Sequence, residues 1–303
     1  MQENILHFFQ TLATPALDFV FEAITFLGEE YVAIAIISWV YWNFSKKEGI
    51  ILALVFMIST FINQFTKILF HTQRPFMVLE NIEGKRQATA TGYSFPSGHA
   101  QGASTLYYSL FLIFKRQWIL ICAIILAFLV AISRVYLGVH WPIDVTFGLI
   151  FGFLIPFLFY SVLHKNYENA EHFQSLLIKI LLSAYFLSTL LFLYNFFIYQ
   201  NELEFNDAYK VLGVFTGTIL GYFFQEKQVR FAVEQKTKAK IIRYALGIAT
   251  TIGLLIGLKI LFAAPLIFLY LRYLIVGAWI TGFYPMLGVK LRLFEKCKCE
   301  KKF

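Results

Sequence analysis

The stretch from Ser133 to Asp144, SRVYLGVHWPID, closes one long apolar run and opens another. Pro142 sets its frame. Proline cannot donate a helical hydrogen bond yet fits the first turn, so a helix is predicted to start near Trp141. His140 then stands just before a helix N-terminus, where unpaired N–H groups and the macrodipole favour an anion. Asp144 falls in the first turn, within reach of the imidazole. A carboxylate there can fix the ring's tautomer and leave its other nitrogen free to attack an electrophile. Arg134 adds a planar, permanently charged fork suited to phosphoryl oxygens. Taken singly, each residue also fits a plainer role: an arginine and a histidine at a membrane interface, and an aspartate capping a helix.

The apolar runs on either side are part of a chain-wide pattern. Of 303 residues, 59% are hydrophobic and 35 are Phe, and the mean hydropathy is +0.66, which excludes an ordinary soluble domain. The fold class expected is an all-α, polytopic helical membrane protein. The net charge of +8 does not point to nucleic acid, because the basic residues come in small groups between apolar runs, as in loops facing anionic lipid. Three cysteines make no disulfide framework: Cys122 lies in an apolar run and reads as packing, while Cys297 and Cys299 in a basic tail leave acylation or metal binding open. Glu3 precedes the first apolar stretch and Asp18 and Glu22 interrupt it, so no signal-peptide layout is expected.

A transmembrane helix needs roughly 20 apolar residues. On that measure about nine spans are predicted, near residues 24–44, 49–70, 97–114, 118–133, 141–163, 176–199, 208–224, 241–262 and 266–284. Residues 4–22 alternate apolar and polar positions at helical spacing and read as one amphipathic helix lying on the membrane. The expected organisation is an interfacial helix over residues 1–23, a membrane core of six helices over 24–200, and additional helices with a basic tail over 201–303. No repeat links the first five spans to the last four, which argues against a duplicated transporter. Residues 71–95 are mixed in charge, broken by Gly84 and Gly92, and read as a lid outside the hydrocarbon.

Two further clusters flank that lid. In KILFHTQRP, Lys67 and Arg74 are two helical turns apart, on one face if the helix persists to Arg74, with Pro75 as its stop. In PSGH, Pro96 to His99, Ser97 can cap the third span, Gly98 can let a phosphate approach the backbone, and His99 can donate a proton. Because successive spans alternate direction, the end of span two, the start of three, the end of four and the start of five share one membrane face. Three weak signals thereby become one candidate site of three cations, two imidazoles, a helix N-terminus and a carboxylate.

Lys67, Arg74 and Pro75, then Pro96, Ser97, Gly98 and His99, then Ser133, Arg134, His140 and Asp144 together resemble the three-part signature of the type 2 phosphatidic acid phosphatase superfamily. The resemblance spans residues 24–163 and implies a phosphatase that needs no metal and no cofactor. In it His140 is the nucleophile forming a phosphohistidine, Asp144 orients it, and His99 protonates the leaving oxygen. Lys67, Arg74, Ser97, Gly98 and Arg134 hold the phosphoryl oxygens. The implied partners are a lipid phosphate or pyrophosphate and the surrounding membrane lipids. A polyprenyl pyrophosphate such as an undecaprenyl carrier, or a phosphatidic acid-like lipid, fits this reading. Six spans are usual for bacterial lipid phosphatases of this superfamily; nine resemble the glucose-6-phosphatase and sphingosine-phosphate phosphatase branches. In the additional region Lys259 and Arg272 lie in apolar surroundings, Arg272 the deeper of the two.

Two other functions remain open on the sequence: a head-group phosphotransferase, and a lipid carrier or flippase that uses the cluster for binding alone. Neither the lipid nor the oligomeric state follows from the residues. Charge does suggest an orientation. Lys46, Lys47, Lys115, Arg116, Lys165, Lys227, Arg230, Lys236, Lys238, Lys240 and the tail fall on one side. Glu29, Glu30, Glu80, Glu83, Lys85, Arg86, Glu202, Glu204 and Asp207 fall on the other. The positive-inside bias places the first set and the C-terminus in the cytoplasm and the candidate site outside a plasma membrane.

Overall fold

The computed structural model describes residues 1–87, 90–199, 206–233, 237–261 and 266–297. Glu202, Glu204, Lys236, Cys299 and the turn at residues 263–265 lie outside the described residues. The helices are α1 (Gln2–Thr11), α2 (Pro15–Phe26), α3 (Glu30–Trp39), α4 (Lys46–Phe70), α5 (Pro75–Val78), α6 (Gly98–Phe114), α7 (Gln117–Tyr136), α8 (Pro142–Asn166) and α9 (Ala170–Tyr194). They are followed by α10 (Asn206–Phe224), α11 (Thr237–Leu261), α12 (Leu266–Ala278) and α13 (Tyr284–Lys290). Helices α3, α9, α10 and α12 each run on into a five-residue π-helical turn. Among the described residues the one sheet is an antiparallel pair, β1 (Phe231–Ala232) with β2 (Glu295–Lys296).

The protein is an all-α, multi-pass membrane protein. Among the described residues, six segments are long and apolar enough to cross a bilayer: Lys46–Val78, Gln117–Tyr136, Pro142–Asn166, Ala170–Ile198, Thr237–Leu261 and Ile267–Lys290. Helix also occupies the other three predicted places, over 30–44, 98–114 and 206–229. The amphipathic segment differs from its prediction. It is two helices, because Thr14 caps α2 through Leu17 N (3.3 Å) and Pro15 takes the first helical position, which stops α1 at Thr11. Cys122 also departs from its expected packing role, since it is exposed on the outer side of α7.

The chain divides into two compact units: Met1–Ile34, Val55–Ser161 and Leu191–Glu204 in one, and Ala35–Leu54, Val162–Leu190 and Phe205–Phe303 in the other. In the first, α6 and α7 form the expected antiparallel hairpin, turned by Lys115 in a left-handed conformation (φ 52°). Leu6 of α1 packs into a core with Ile82, Ala100, Ala131, Val135 and Val145. Gly148 and Gly152 let α8 approach Ser97 O, Ala100 and Ser104 closely, which sets the start of α8 beside the start of α6. A buried polar ladder joins α4 to α6: Asn63 Nδ2 donates to Gln101 Oε1 (2.8 Å), Gln101 Nε2 to Ser59 O (2.8 Å), and Ser59 Oγ lies 2.7 Å from Thr105 Oγ1.

In the second unit, Gly213, Gly217 and Gly221 form a seam along α10 against α12 and the turn after it. A Cβ at Gly217 would stand 1.9 Å from Leu274 O, and one at Gly213 2.4 Å from Tyr270 O. Small residues at four-residue spacing let membrane helices approach to backbone contact. Gly217→Leu should therefore lower stability by about 3 kcal/mol or abolish folding, whereas Gly253→Ala on α11, with nothing within 4 Å of its Cβ, should be neutral or slightly stabilising. Thermal unfolding in detergent checks both, and a Gly217→Leu protein as stable as the parent would refute the seam.

Candidate active site

Four helix ends build the site in the first unit: the end of α4, the start of α6, the end of α7 and the start of α8. Helix α4 does not persist to Arg74. It stops at Phe70, and His71 turns the chain through a left-handed conformation (φ 49°). Pro75 starts α5 rather than stopping α4, holding Arg74 extended as its N-cap (φ −79°, ψ 151°). Lys67 and Arg74 still converge, through acceptors and not through a shared helix face. Lys67 Nζ donates to Tyr93 O. Arg74 Nε donates to Gly92 O (3.0 Å), Nη2 to Thr91 O (2.6 Å) and Tyr93 O (3.3 Å), and Nη1 to Val139 O (2.9 Å).

The fifth Arg74 contact is with a ring nitrogen and not a carbonyl: Nη1 lies 3.2 Å from His140 Nε2. The other face of the imidazole meets a carboxylate, with Nδ1 3.3 Å from Asp144 Oδ2. Guanidinium only donates and carboxylate only accepts, so these partners assign the proton to Nδ1 and the lone pair to Nε2. Burial pushes the His140 pKa well below its ordinary value, and the charges of Arg74, Arg134, Lys67 and His99 push it further down. The ring is therefore a neutral base at neutral pH. Asp144 Oδ2 also accepts from Trp141 N (2.8 Å) and from Ser94 Oγ, so its helix-capping role and its contact with His140 coexist.

The turn between Arg134 and His140 depends on Gly138, whose φ is +69° and where a Cβ would lie 2.5 Å from Glu83 O. Arg134 is fully buried and places Nη1 on Thr25 Oγ1 (3.1 Å). Its Nε and Nη2 have no hydrogen-bond partner, nor do Ser97 Oγ and His99 Nε2. Buried donors are rarely left so, and each costs about 1–3 kcal/mol. Ser97 occupies the N-cap position of α6, but its hydroxyl makes no capping bond. The residue instead joins the clusters through its backbone, Ser97 N donating to Asp144 O (3.0 Å). Gly98 opens α6 beside Asn63, whose Oδ1 would be 3.3 Å from an added Cβ.

A second ring of residues, which the sequence reading does not assign to the site, supports these clusters. Glu29 pairs with Arg86, and Asp18 binds both Lys85 and the Tyr136 hydroxyl (2.7 Å), which docks residues 85–86 against α2 and α7. The bond to Lys85 holds the Asp18 carboxyl below its usual range. Ser94, Asn63 and Gln101 were likewise missed. Asn63 and Gln101 did carry a signal, as amides inside otherwise apolar spans; Ser94 carried none beyond its place near PSGH. Among the described residues, no group of three or more His, Cys, Asp or Glu side chains lies together in a form that could hold a metal ion.

Two family models match the chain: PAP2 superfamily over residues 48–168, and PAP2 superfamily phosphatase, transmembrane extension, over residues 209–296. An undecaprenyl-diphosphatase of Sulfolobus acidocaldarius is 39% identical over 132 residues, covering 43% of this chain and 63% of that relative. The chain thus spans a little under two thirds of that relative's length. The putative undecaprenyl-diphosphatase YbjG of Escherichia coli is 32% identical over 143 residues, covering 46% of this chain and 71% of its own. Among solved structures, a transmembrane PAP2 type phosphatidylglycerolphosphate phosphatase from Bacillus subtilis is 28% identical, with a TM-score of 0.46, covering 54% of this chain and 85% of that one. The first family model contains every residue of the three clusters, and the Escherichia coli relative is matched over more than two thirds of its length: the chain belongs to the PAP2 superfamily.

Proposed function

We propose that this protein is an integral-membrane phosphatase acting on a lipid phosphate or pyrophosphate, with His140 as nucleophile. The observation that carries the reading is the imidazole held between Asp144 at Nδ1 (3.3 Å) and Arg74 at Nε2 (3.2 Å). In the first step the Nε2 lone pair attacks the terminal phosphorus, its bond to the leaving oxygen breaks (the lipid alcohol's oxygen in a monophosphate, the bridging oxygen of the departing lipid phosphate in a diphosphate), and His99 gives that oxygen a proton. In the second step water attacks phosphorus, the N–P bond breaks, His99 takes the water's proton, and inorganic phosphate leaves. Asp144 stabilises the positive charge that His140 acquires. Lys67, Arg74, Arg134, Ser97 and Gly98 bind the phosphoryl oxygens, which compete with the carbonyls of Thr91, Gly92 and Tyr93 for the cations. A dianion outcompetes neutral carbonyls in a site of low dielectric.

On this reading His140→Ala lowers turnover by at least about 1,000-fold in folded protein, and Asp144→Asn by roughly 10²–10⁴-fold. Phosphate release from undecaprenyl diphosphate, the substrate suggested by the names of the relatives, measures both. A His140→Ala protein with substantial activity would remove the nucleophile.

The charge work falls to fixed cations, which repel a divalent metal and can stabilise a transferring phosphoryl group themselves. Turnover should persist in excess chelator, and vanadate, a mimic of the phosphoryl transition state, should inhibit it. Activity lost to chelator and restored by magnesium would contradict metal independence.

The site is proposed to face outward from a plasma membrane, with the C-terminus in the cytoplasm, on the asymmetry of Lys and Arg between the two sets of loops. In a Cys122→Ala background, an impermeant thiol reagent applied to intact cells should label a cysteine placed at Glu83. It should spare Cys297 and Cys299 until lysis. The reverse pattern would invert the orientation and exclude an outer-leaflet substrate.

A further inference from the structure

One buried hydroxyl beside the nucleophile has no part in the chemistry so far. Ser94 is fully buried, and its backbone N is anchored on Thr72 O (2.7 Å). Its Oγ is hydrogen-bonded to Asp144 Oδ2 and lies 3.3 Å from His140 Nδ1. It therefore touches both members of the pair at once. A carboxylate oxygen can only accept, so the Ser94 proton goes to Asp144 and the Oγ lone pairs face the imidazole. Nδ1–H then has two acceptors, Asp144 Oδ2 and Ser94 Oγ, each at 3.3 Å.

We infer that Ser94 is a positioning residue that holds Asp144 and His140 in register for attack by Nε2, an inference that rests on the nucleophile assignment above. The geometry requires such a group. Asp144 sits on the first turn of α8 and His140 before it, so helix geometry alone sets the spacing of their backbones, while their side chains retain rotational freedom. Asp144 Oδ2 is fixed from the α8 side by Trp141 N (2.8 Å). Ser94 fixes it from a separate segment, one tied independently to Lys67 and Arg74 through Thr91, Gly92 and Tyr93. Without the hydroxyl the carboxylate keeps one anchor and the imidazole one acceptor. Both are then free to turn about bonds that the reaction needs fixed. Ser94 Oγ sits at Nδ1, the ring nitrogen away from the attacking Nε2, so its loss acts on the rate of attack and not on substrate binding.

The test compares Ser94→Ala, Ser94→Thr and His140→Ala, each purified in detergent and checked for thermal unfolding. Ser94→Ala is expected to lower kcat roughly 10- to 100-fold, the scale of a misaligned reacting group. KM and inhibition by inorganic phosphate should stay within about 3-fold. Ser94→Thr, which keeps the hydroxyl, should recover most of the lost kcat. Ser94→Ala with parental kcat beside an inactive His140→Ala overturns the Ser94 inference alone. A Ser94→Thr protein that is stable yet as slow as Ser94→Ala also overturns it, because the hydroxyl then does nothing. An active His140→Ala overturns the nucleophile assignment, and the role of Ser94 with it.

Discussion

A buried guanidinium must be surrounded by acceptors, and the candidate site is built around how Arg74 obtains them. Its five N–H groups reach Gly92 O, Thr91 O, Tyr93 O, Val139 O and His140 Nε2. Hydrogen bonds to a charged group contribute about 1.5–3 kcal/mol each, against a burial cost of several kcal/mol per ion. Two or three such bonds offset the burial, and five over-determine it. The surplus is order imposed on the surroundings. The chain from Thr91 to Tyr93 and Val139, the residue before His140, are held to one point, and the nitrogen of His140 that faces Arg74 is left with its lone pair.

That order requires the helix ends to arrive at the same place, and each arrives by a different local device. Helix α4 ends in a left-handed residue, His71, and α7 ends in a turn that only Gly138 can make. Helix α8 begins with proline. Close packing then fixes the distances: Gly148 and Gly152 bring α8 against α6, and the amides of Asn63 and Gln101 tie α6 to α4. Apolar burial adds little specificity between helices in lipid, since lipid tails are as apolar as the side chains they replace. Hydrogen bonds and backbone contacts at small residues therefore do the aligning.

This division explains what the sequence reveals. Spans were legible because hydropathy is additive over about 20 residues and tolerates error at either end. The clusters were legible because polar residues in a hydrophobic chain are few, and alternation of spans assigns each one a side. Lys67 and Arg74 do converge, but not on the expected shared helix face: both donate to one carbonyl, Tyr93 O. The break before α2 was legible in the Thr14-Pro15 pair, an N-cap followed by a first-turn proline, but the amphipathic periodicity running through it masked the signal. Ser94, Glu29 and Asp18 were not legible. Their positions depend on how residues 71–97 fold back on α2 and α8, a path set by tertiary contacts and not by periodicity.

Depth within an apolar run is a poor guide to burial in protein. Lys259 and Arg272 drew attention on that ground, yet Lys259 is exposed and Arg272 half-buried, with its guanidinium 5.3 Å from the Tyr273 ring centre. The fully buried arginine of the second unit is Arg243, near the start of α11. Its Nε and Nη2 both bind Asn43 Oδ1 (2.9 and 2.7 Å), Nη1 reaches Leu293 O (3.4 Å), and its guanidinium carbon lies 4.5 Å from the Phe294 ring centre. Arg134 is as deeply buried, but two of its three nitrogens have no hydrogen-bond partner. The two residues share chemistry and exposure and differ in saturation. A buried cation whose donors are taken up by fixed neutral groups ties helices together. One that retains unused donors beside a neutral, oriented imidazole has capacity left for an anion, and this is the physical difference between Arg134 and Arg243 on which the proposed phosphate-binding role rests.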